Sequence, residues 1–191
     1  MNDVYNVRLE TSRLILREVR IEDKDDFESL RLSTQMDPNT IQGIWYDYKS
    51  DSAKLCADAV SDQKENPRKR TFLAITLKDS PDKFIGFIKT MLEEMIWEGK
   101  PAYVDLSYNI HADYQNNGYV SEAAFAFIDY LFKTFNFDYI NATSHIKNRP
   151  SHKVLYRLGF KRHGGVVKKY NSSRSKFELT KEDFYKALSK R

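Results

Sequence analysis

One cysteine, Cys56, stands in the whole chain. That excludes an internal disulfide and a cysteine-built metal cluster, and no metal site is expected. The lone thiol is readable as a nucleophile or as a packing residue of an amphipathic helix. No apolar run reaches the roughly 18 residues that a membrane span requires. The opening residues, Met1 to Arg8, lack the apolar core of a signal peptide, so the expected location is the cytoplasm. Gly/Ser linkers, repeats and low-complexity tracts are also missing, which predicts a single domain over residues 1–191. The content of 41% hydrophobic and 30% charged residues fits a chain with a real core.

Acidic residues are absent from 139–177, while that stretch carries ten lysines and arginines. The overall charge of +4 hides this asymmetry. A block of one sign attracts polyanions. It reads as a solvated basic face, as a nucleic-acid or ribosome surface, or as a site for a ligand's phosphates. An aromatic-plus-basic RNA motif is missing, so nucleic acid is not the expected partner.

What is present centres on Tyr114-Gln115-Asn116-Asn117-Gly118-Tyr119-Val120. The stretch joins an expected strand over 102–110 to an expected helix over 120–135. The free N–H groups of such a turn add to the positive end of the helix dipole and attract a phosphate. Gly118 permits φ > 0 and close approach of backbone to ligand. The turn carries no Lys or Arg, so backbone amides must do most of the holding.

Along the strand, Val104, Leu106, Tyr108 and Ile110 share one face, and Tyr103, Asp105, Ser107 and Asn109 share the other. The polar face reads as solvent-facing or as the lining of a cleft. The helix that follows is apolar on nearly every side, as a helix covering a sheet would be. Glu122 reads as a first-turn carboxylate rather than a catalyst. Further on, Asn148 is a suitable N-cap, Pro150 fits a first turn and Gly159 a helix end. Between them Ser151, Val154, Leu155 and Leu158 fall on one inward stripe. A buried Ser151 hydroxyl needs a partner, which the helix backbone itself can supply.

The remaining elements are expected as follows. A strand spans 13–17, and Glu22, Asp23, Asp25 and Asp26 crowd the front of a helix that buries Phe27 and Leu30. Residues 40–49 hold Ile41, Ile44, Trp45, Tyr46 and Tyr48 without a clear period, either as a loop folded onto the core or as a pocket wall. A helix capped at Ser50-Asp51 runs to about residue 64, and a hairpin pairs 71–77 with 84–92. A turn at 98–101 and a strand at 139–145 follow. The last hairpin joins 166–170 to 176–179, and a final helix starts at Thr180.

The order of these motifs, from Leu9 to Phe184, resembles the GNAT superfamily of acyl-CoA-dependent N-acyltransferases, and within it the RimJ/RimL-like ribosomal-protein N-acetyltransferase type. The resemblance implies an α+β (mixed α/β) fold: a central, mostly antiparallel twisted sheet with splayed middle strands and flanking helices. It implies transfer of an acetyl group from acetyl-CoA to a primary amine, on a protein N-terminus or a small molecule, by direct attack. Gln115, Asn116, Asn117, Gly118, Tyr119 and Val120 then hold the cofactor's diphosphate. The backbone of Tyr108 and Ile110 polarises the thioester, and Asn148 and Lys153 make further cofactor contacts. Ser151 faces the cofactor sulfur, and Asp105 matches the acidic position where a carboxylate can take the amine's proton. The basic block is then drawn to coenzyme A phosphates. In the same pattern Val120 replaces a usual Gly or Ala, Leu155 stands where many relatives carry a Tyr acid, and His163 where a carboxylate is usual. A non-catalytic CoA-binding module and, behind it, a ribosome or RNA binder are the alternatives. The acceptor is not legible, and a homodimer is left open.

Overall fold

The computed structural model describes residues 6–34, 51–65, 68, 70–92, 96–97, 100–101, 103–135, 138–169 and 172–191. The expected aromatic wall at 40–49 lies outside them, as do Glu98 and Gly99 of the expected turn.

The strands are β1 (Arg8–Glu10), β2 (Leu14–Glu18), β3 (Arg70–Leu77), β4 (Gly86–Leu92), β5 (Ile96–Trp97), β6 (Lys100–Pro101), β7 (Tyr103–Ile110), β8 (Tyr139–His145), β9 (Lys161–Lys169) and β10 (Ser172–Thr180). The helices are α1 (Lys24–Thr34), α2 (Ser52–Asp62), α3 (Tyr119–Thr134), α4 (Arg149–Arg157) and α5 (Lys181–Leu188). Eight strands form one sheet in the order β1-β2-β3-β4-β7-β8-β10-β9, and β5 pairs with β6 as a separate small hairpin. Every neighbouring pair in the large sheet is antiparallel except β7 and β8, which run parallel. Among the described residues no helix is long and apolar enough to cross a membrane.

Strand alternation sends side chains to two cores. Leu73 and Ile75 of β3 join Val104 and Leu106 of β7 under α3, α4 and α5. On the other face Ala74 and Phe87 pack with Phe27 and Leu30 of α1 and Cys56 and Ala59 of α2. Burial pushes the Cys56 thiol up to about 12, aided by the negative charge of Asp23, so at neutral pH it is a protonated packing residue and no nucleophile. α3 contains no Gly or Pro and buries Ala123, Ala124, Phe127, Ile128 and Leu131. Phe184 of α5 packs its ring 5.9 Å from Phe125 and 5.7 Å from Phe132.

Three elements differ from expectation. β1 goes unread because three residues of mixed character give too little period. The strand expected at 166–170 starts earlier, at Lys161, and runs to Lys169 as β9. Gly164 adopts φ +67° there, and the β9–β10 register shifts between Ser175 and Phe177, so a bulge passes for a break. The carboxylate of Asp23 serves less as a dipole partner than as an anchor. It takes both Arg17 Nη atoms, at 2.7 and 2.8 Å, and the Arg20 amide at 2.8 Å.

Gly86 lies opposite Ile110 where β4 passes the end of β7. A Cβ there would sit 2.6 Å from the Asn109 carbonyl oxygen and 3.0 Å from Ile110 Cα. Both are backbone atoms, so one strand must move. Gly86→Ala is therefore expected to lower stability by about 2 kcal/mol, read as a lower urea midpoint at unchanged slope.

Candidate active site

β7 and β8 pair over only three positions, Tyr103 with Tyr139, Val104 with Ile140 and Asp105 with Asn141. Beyond them the strands part, and the gap opens as a cavity of about 530 Å³. It is walled by β7 from Asp105 to Ile110, by Ala142, Thr143 and Ser144 of β8, and by the start of α4. The splay expected from the family resemblance is thus present in the ladder.

The turn after β7 closes one end. Asn116 has φ +62° and Gly118 φ +78°, two left-handed residues with one between them. Asn tolerates that conformation and Gly adopts it freely. A Cβ on Gly118 would meet nothing nearer than Arg13 Nη2 at 3.7 Å, so conformation, not space, requires the glycine. The first α3 amide to find a helical partner is Glu122, donating to Gly118 C=O at 3.0 Å. The amides just before it are left for a ligand. Gln115, Asn116, Gly118, Tyr119 and Val120 line the cavity. The Asn117 side chain does not, and its amide donates to Gln115 C=O at 3.0 Å. Val120 is half-buried, lining the cavity while packing on the core.

Across the cavity, Asn148 Oδ1 caps α4 by accepting the Ser151 N–H at 3.1 Å. The Ser151 hydroxyl does not turn back on its helix for its contact. It meets the Tyr108 phenol oxygen at 3.0 Å, where either atom can donate, and Ser151 C=O at 3.3 Å is the alternative acceptor for the one phenol proton. Burial pushes the Tyr108 phenol far above its usual range, only partly offset by the Ser151 contact, so it stays protonated. Tyr156, one position past Leu155, is 54% exposed with its ring against Phe177 at 5.6 Å, away from this cavity.

Amides alternate along β7. The His111 N–H donates to Ile85 C=O of the β4 side at 2.9 Å, so those of Ile110 and Tyr108 face the slot. Ile110 N–H is already taken by Asn109 Oδ1 at 2.9 Å. Of the two expected polarising amides, Tyr108's is therefore the better placed. Ser144 Oγ, 3% exposed and lining the slot, has no hydrogen-bond partner among the described residues. A buried orphan hydroxyl suits an amide-bearing ligand. Lys153 stands at the mouth with Arg149 and Arg157.

Asp105 lines the same cavity from the opposite sheet face to Tyr108, by the alternation of β7. Its charge reaches Lys89 of β4, whose pKa burial lowers, with Arg70 acting the same way and Asp105 and Asp62 opposing. His163 lies on edge strand β9, 61% exposed and 3.9 Å from Glu178, clear of the site. Sequence reasoning gave no site role to Ser144 or Thr143, which also line the cavity, and reached Arg174 only as one member of the basic block. Only the sheet order brings β10 and its Arg174 beside β8.

The family model described as the acetyltransferase (GNAT) domain matches residues 13–161. The chain belongs to the GNAT acetyltransferase family. The uncharacterized N-acetyltransferase YnaD of Bacillus subtilis (strain 168) is 29% identical over 127 residues, covering 62% of this chain and 72% of that protein. Two solved structures share the fold of this GNAT protein. RimJ of Mycobacterium smegmatis, in complex with CoA-disulfide, superposes with a TM-score of 0.74 at 17% identity, covering 97% of this chain and 93% of that one. The ribosomal-protein-S5-alanine acetyltransferase of Vibrio fischeri gives 0.74 at 20% identity, covering 93% and 98%.

Proposed function

We propose that this GNAT enzyme moves the acetyl group of acetyl-CoA onto a primary amine, the two substrates meeting across the gap between β7 and β8. The supporting observation is that one cavity joins the left-handed turn at 115–118 to the Ser151–Tyr108 pair. Backbone amides of the turn and of the first α3 turn hold the diphosphate, with Arg149, Lys153 and Arg157 adding charge at the mouth. Bound there, acetyl-CoA supplies an already activated thioester. The chain's own residues align the partners and stabilise charge. The Tyr108 N–H donates to the acyl oxygen. The neutral Tyr108 phenol donates to Ser151 Oγ, which directs the serine proton towards the sulfur. As the C–N bond forms and the C–S bond breaks, that proton goes to the departing thiolate, and Ser151 regains one from solvent as Asp105 gives up the proton taken from the amine. The amine enters from the sheet face that carries Asp105, and Asp105 takes its proton directly or through water.

The test is thiol release from acetyl-CoA over a panel of amines: alanine-initiated peptides, polyamines, amino acids and aminoglycosides. Amine-dependent thiol release matched by acetylated product in the mass spectrum is expected. Tight CoA binding with no amine-dependent release overturns catalysis and leaves a CoA-binding module.

A further inference from the structure

Two rows of opposite charge cross the sheet on the face that carries Asp105. In the first row Asp105 of β7 pairs with Asn141 of β8, and Asn141 pairs with Glu178 of β10. Directly paired residues share a face, so both carboxylates look out on the side away from α3. Two residues further along β8, Thr143 pairs with Lys176, and beyond it His145 pairs with Arg174. Arg174 is 6% exposed and lines the cavity between β7 and β8. Its Nε donates to Thr143 Oγ1 at 3.2 Å and its Nη2 to Thr143 C=O at 2.9 Å, which fixes the guanidinium at the level of Thr143. At a strand rise of about 3.3 Å per residue, the cationic row lies about 7 Å along β8 from the acidic one. Asp105 is the one carboxylate among the described residues that line the cavity. The other cations on its wall, Arg149, Lys153 and Arg157, belong to α4 on the opposite side. The donor runs on that α4 side, so the paired rows face the acceptor.

We propose that the acceptor is a primary amine with a carboxylate a few bonds away, its amine set at Asp105 and its carboxylate on Arg174. The proposal rests on the acetyl-transfer reading above and names the class of amine. Charge-assisted contacts take up about 2.8 Å at each end. The span left between the rows is filled by a few bonds, as in an α-amino acid or in a peptide whose second residue is Asp. Lys176, beside Thr143, adds charge of the sign that a carboxylate needs. A polyamine or an aminoglycoside would instead bring a further cation against Arg174, and like charges so placed are penalised.

Steady-state thiol release from acetyl-CoA tests it over matched acceptors: α-amino acids against their carboxamides, an Ala-Asp peptide amide against Ala-Asn, and spermidine. The unaltered enzyme is expected to favour the best acid over its neutral amide at least about 10-fold in kcat/KM, the scale of one charge-assisted contact. The two acid arms separate a free amino acid from a peptide N-terminus as the source of the carboxylate. In Arg174→Gln the acid-to-amide ratio is expected to fall to about three or less, with the KM for acetyl-CoA changed less than about twofold. A merely structural Arg174 would lower both rates together and leave the ratio alone. Lys176→Glu keeps the Arg174–Thr143 bonds and is expected to lower the ratio at least about threefold, so the test survives a folding defect in the first variant. A ratio near one in the unaltered enzyme, or a preference for spermidine, overturns this inference and leaves acetyl transfer standing. A ratio undiminished in every variant that folds overturns it too. Absence of amine-dependent thiol release from every acceptor overturns the acetyl-transfer reading along with it.

Discussion

Ser151→Ala is expected to lower kcat about 100-fold, the low end of what a positioned proton donor contributes, while CoA affinity changes little. The substitution is unusually clean. The cap on α4 is made by the Asn148 side chain to the Ser151 backbone N–H, and alanine keeps that N–H. What is lost is the hydroxyl 3.0 Å from the Tyr108 oxygen. Tyr108→Phe removes the other half of the pair and is expected to reduce kcat by roughly 10-fold, since it acts by aiming Ser151. Because the two act as a unit, the double variant should be no slower than Ser151→Ala alone. Steady-state thiol release gives kcat, and titration with CoA gives affinity. Losses of equal size in both would make Ser151 a binding or folding residue. Fully additive losses would separate the two hydroxyls.

The proposed acid and base come from opposite faces of the same sheet. Tyr108 and Ser151 close the slot from the α4 side, while Asp105 looks out of the other face. Asp105 stands at the last paired position of β7 and β8, and Tyr108 lies past it, so the proposed chemistry depends on the ladder ending there.

Much of this was legible in the chain. β8 lies at 139–145 as expected, α3 starts one residue earlier than expected, and the Asn148 cap and Gly159 end are both in place, Gly159 at φ +96°. These are local signals: alternation, caps and a glycine at a positive φ. The contacts that build the site are not local. Tyr108 and Ser151 stand 43 residues apart, and Thr11 and Glu122 stand 111 apart. Side-chain period shows which face a residue occupies but not what that face will meet. The same limit explains β9, where a bulge at Gly164 is indistinguishable in sequence from a turn.

Glu122→Gln is expected to lower stability by about 2–3 kcal/mol at pH 7, with the loss disappearing in acid. The carboxylate is 4% exposed, and it accepts from Thr11 Oγ1, from Ser12 Oγ and Arg13 N–H, each at 3.0 Å in the latter two, and from Arg13 Nε at 2.8 Å. Burial alone would raise its pKa. The Thr11, Arg13 and Ser12 bonds outweigh burial and hold it at about 2 against an ordinary 4.5. That difference converts to about 3 kcal/mol by linkage, less a discount because Arg13 is 47% exposed and screened by solvent. The folded-state value is depressed, so the stabilisation is full above about 4.5 and is lost as pH falls towards about 2. For a chain of this size the neutral-pH loss corresponds to roughly 5–10 °C in melting temperature. Melting curves of both proteins at pH 7 and pH 3 decide the matter: the gap should shrink by about half or more at pH 3. A gap of constant size would assign the loss to packing instead of charge. The functional stake is the turn itself. Arg13, fixed by Glu122, lies over the Tyr119 ring at 4.6 Å and beside Gly118, so this one carboxylate ties the N-terminal strands to the turn proposed to hold the diphosphate. Weaker CoA binding should accompany the lower melting point, because the same loss loosens the first turn of α3.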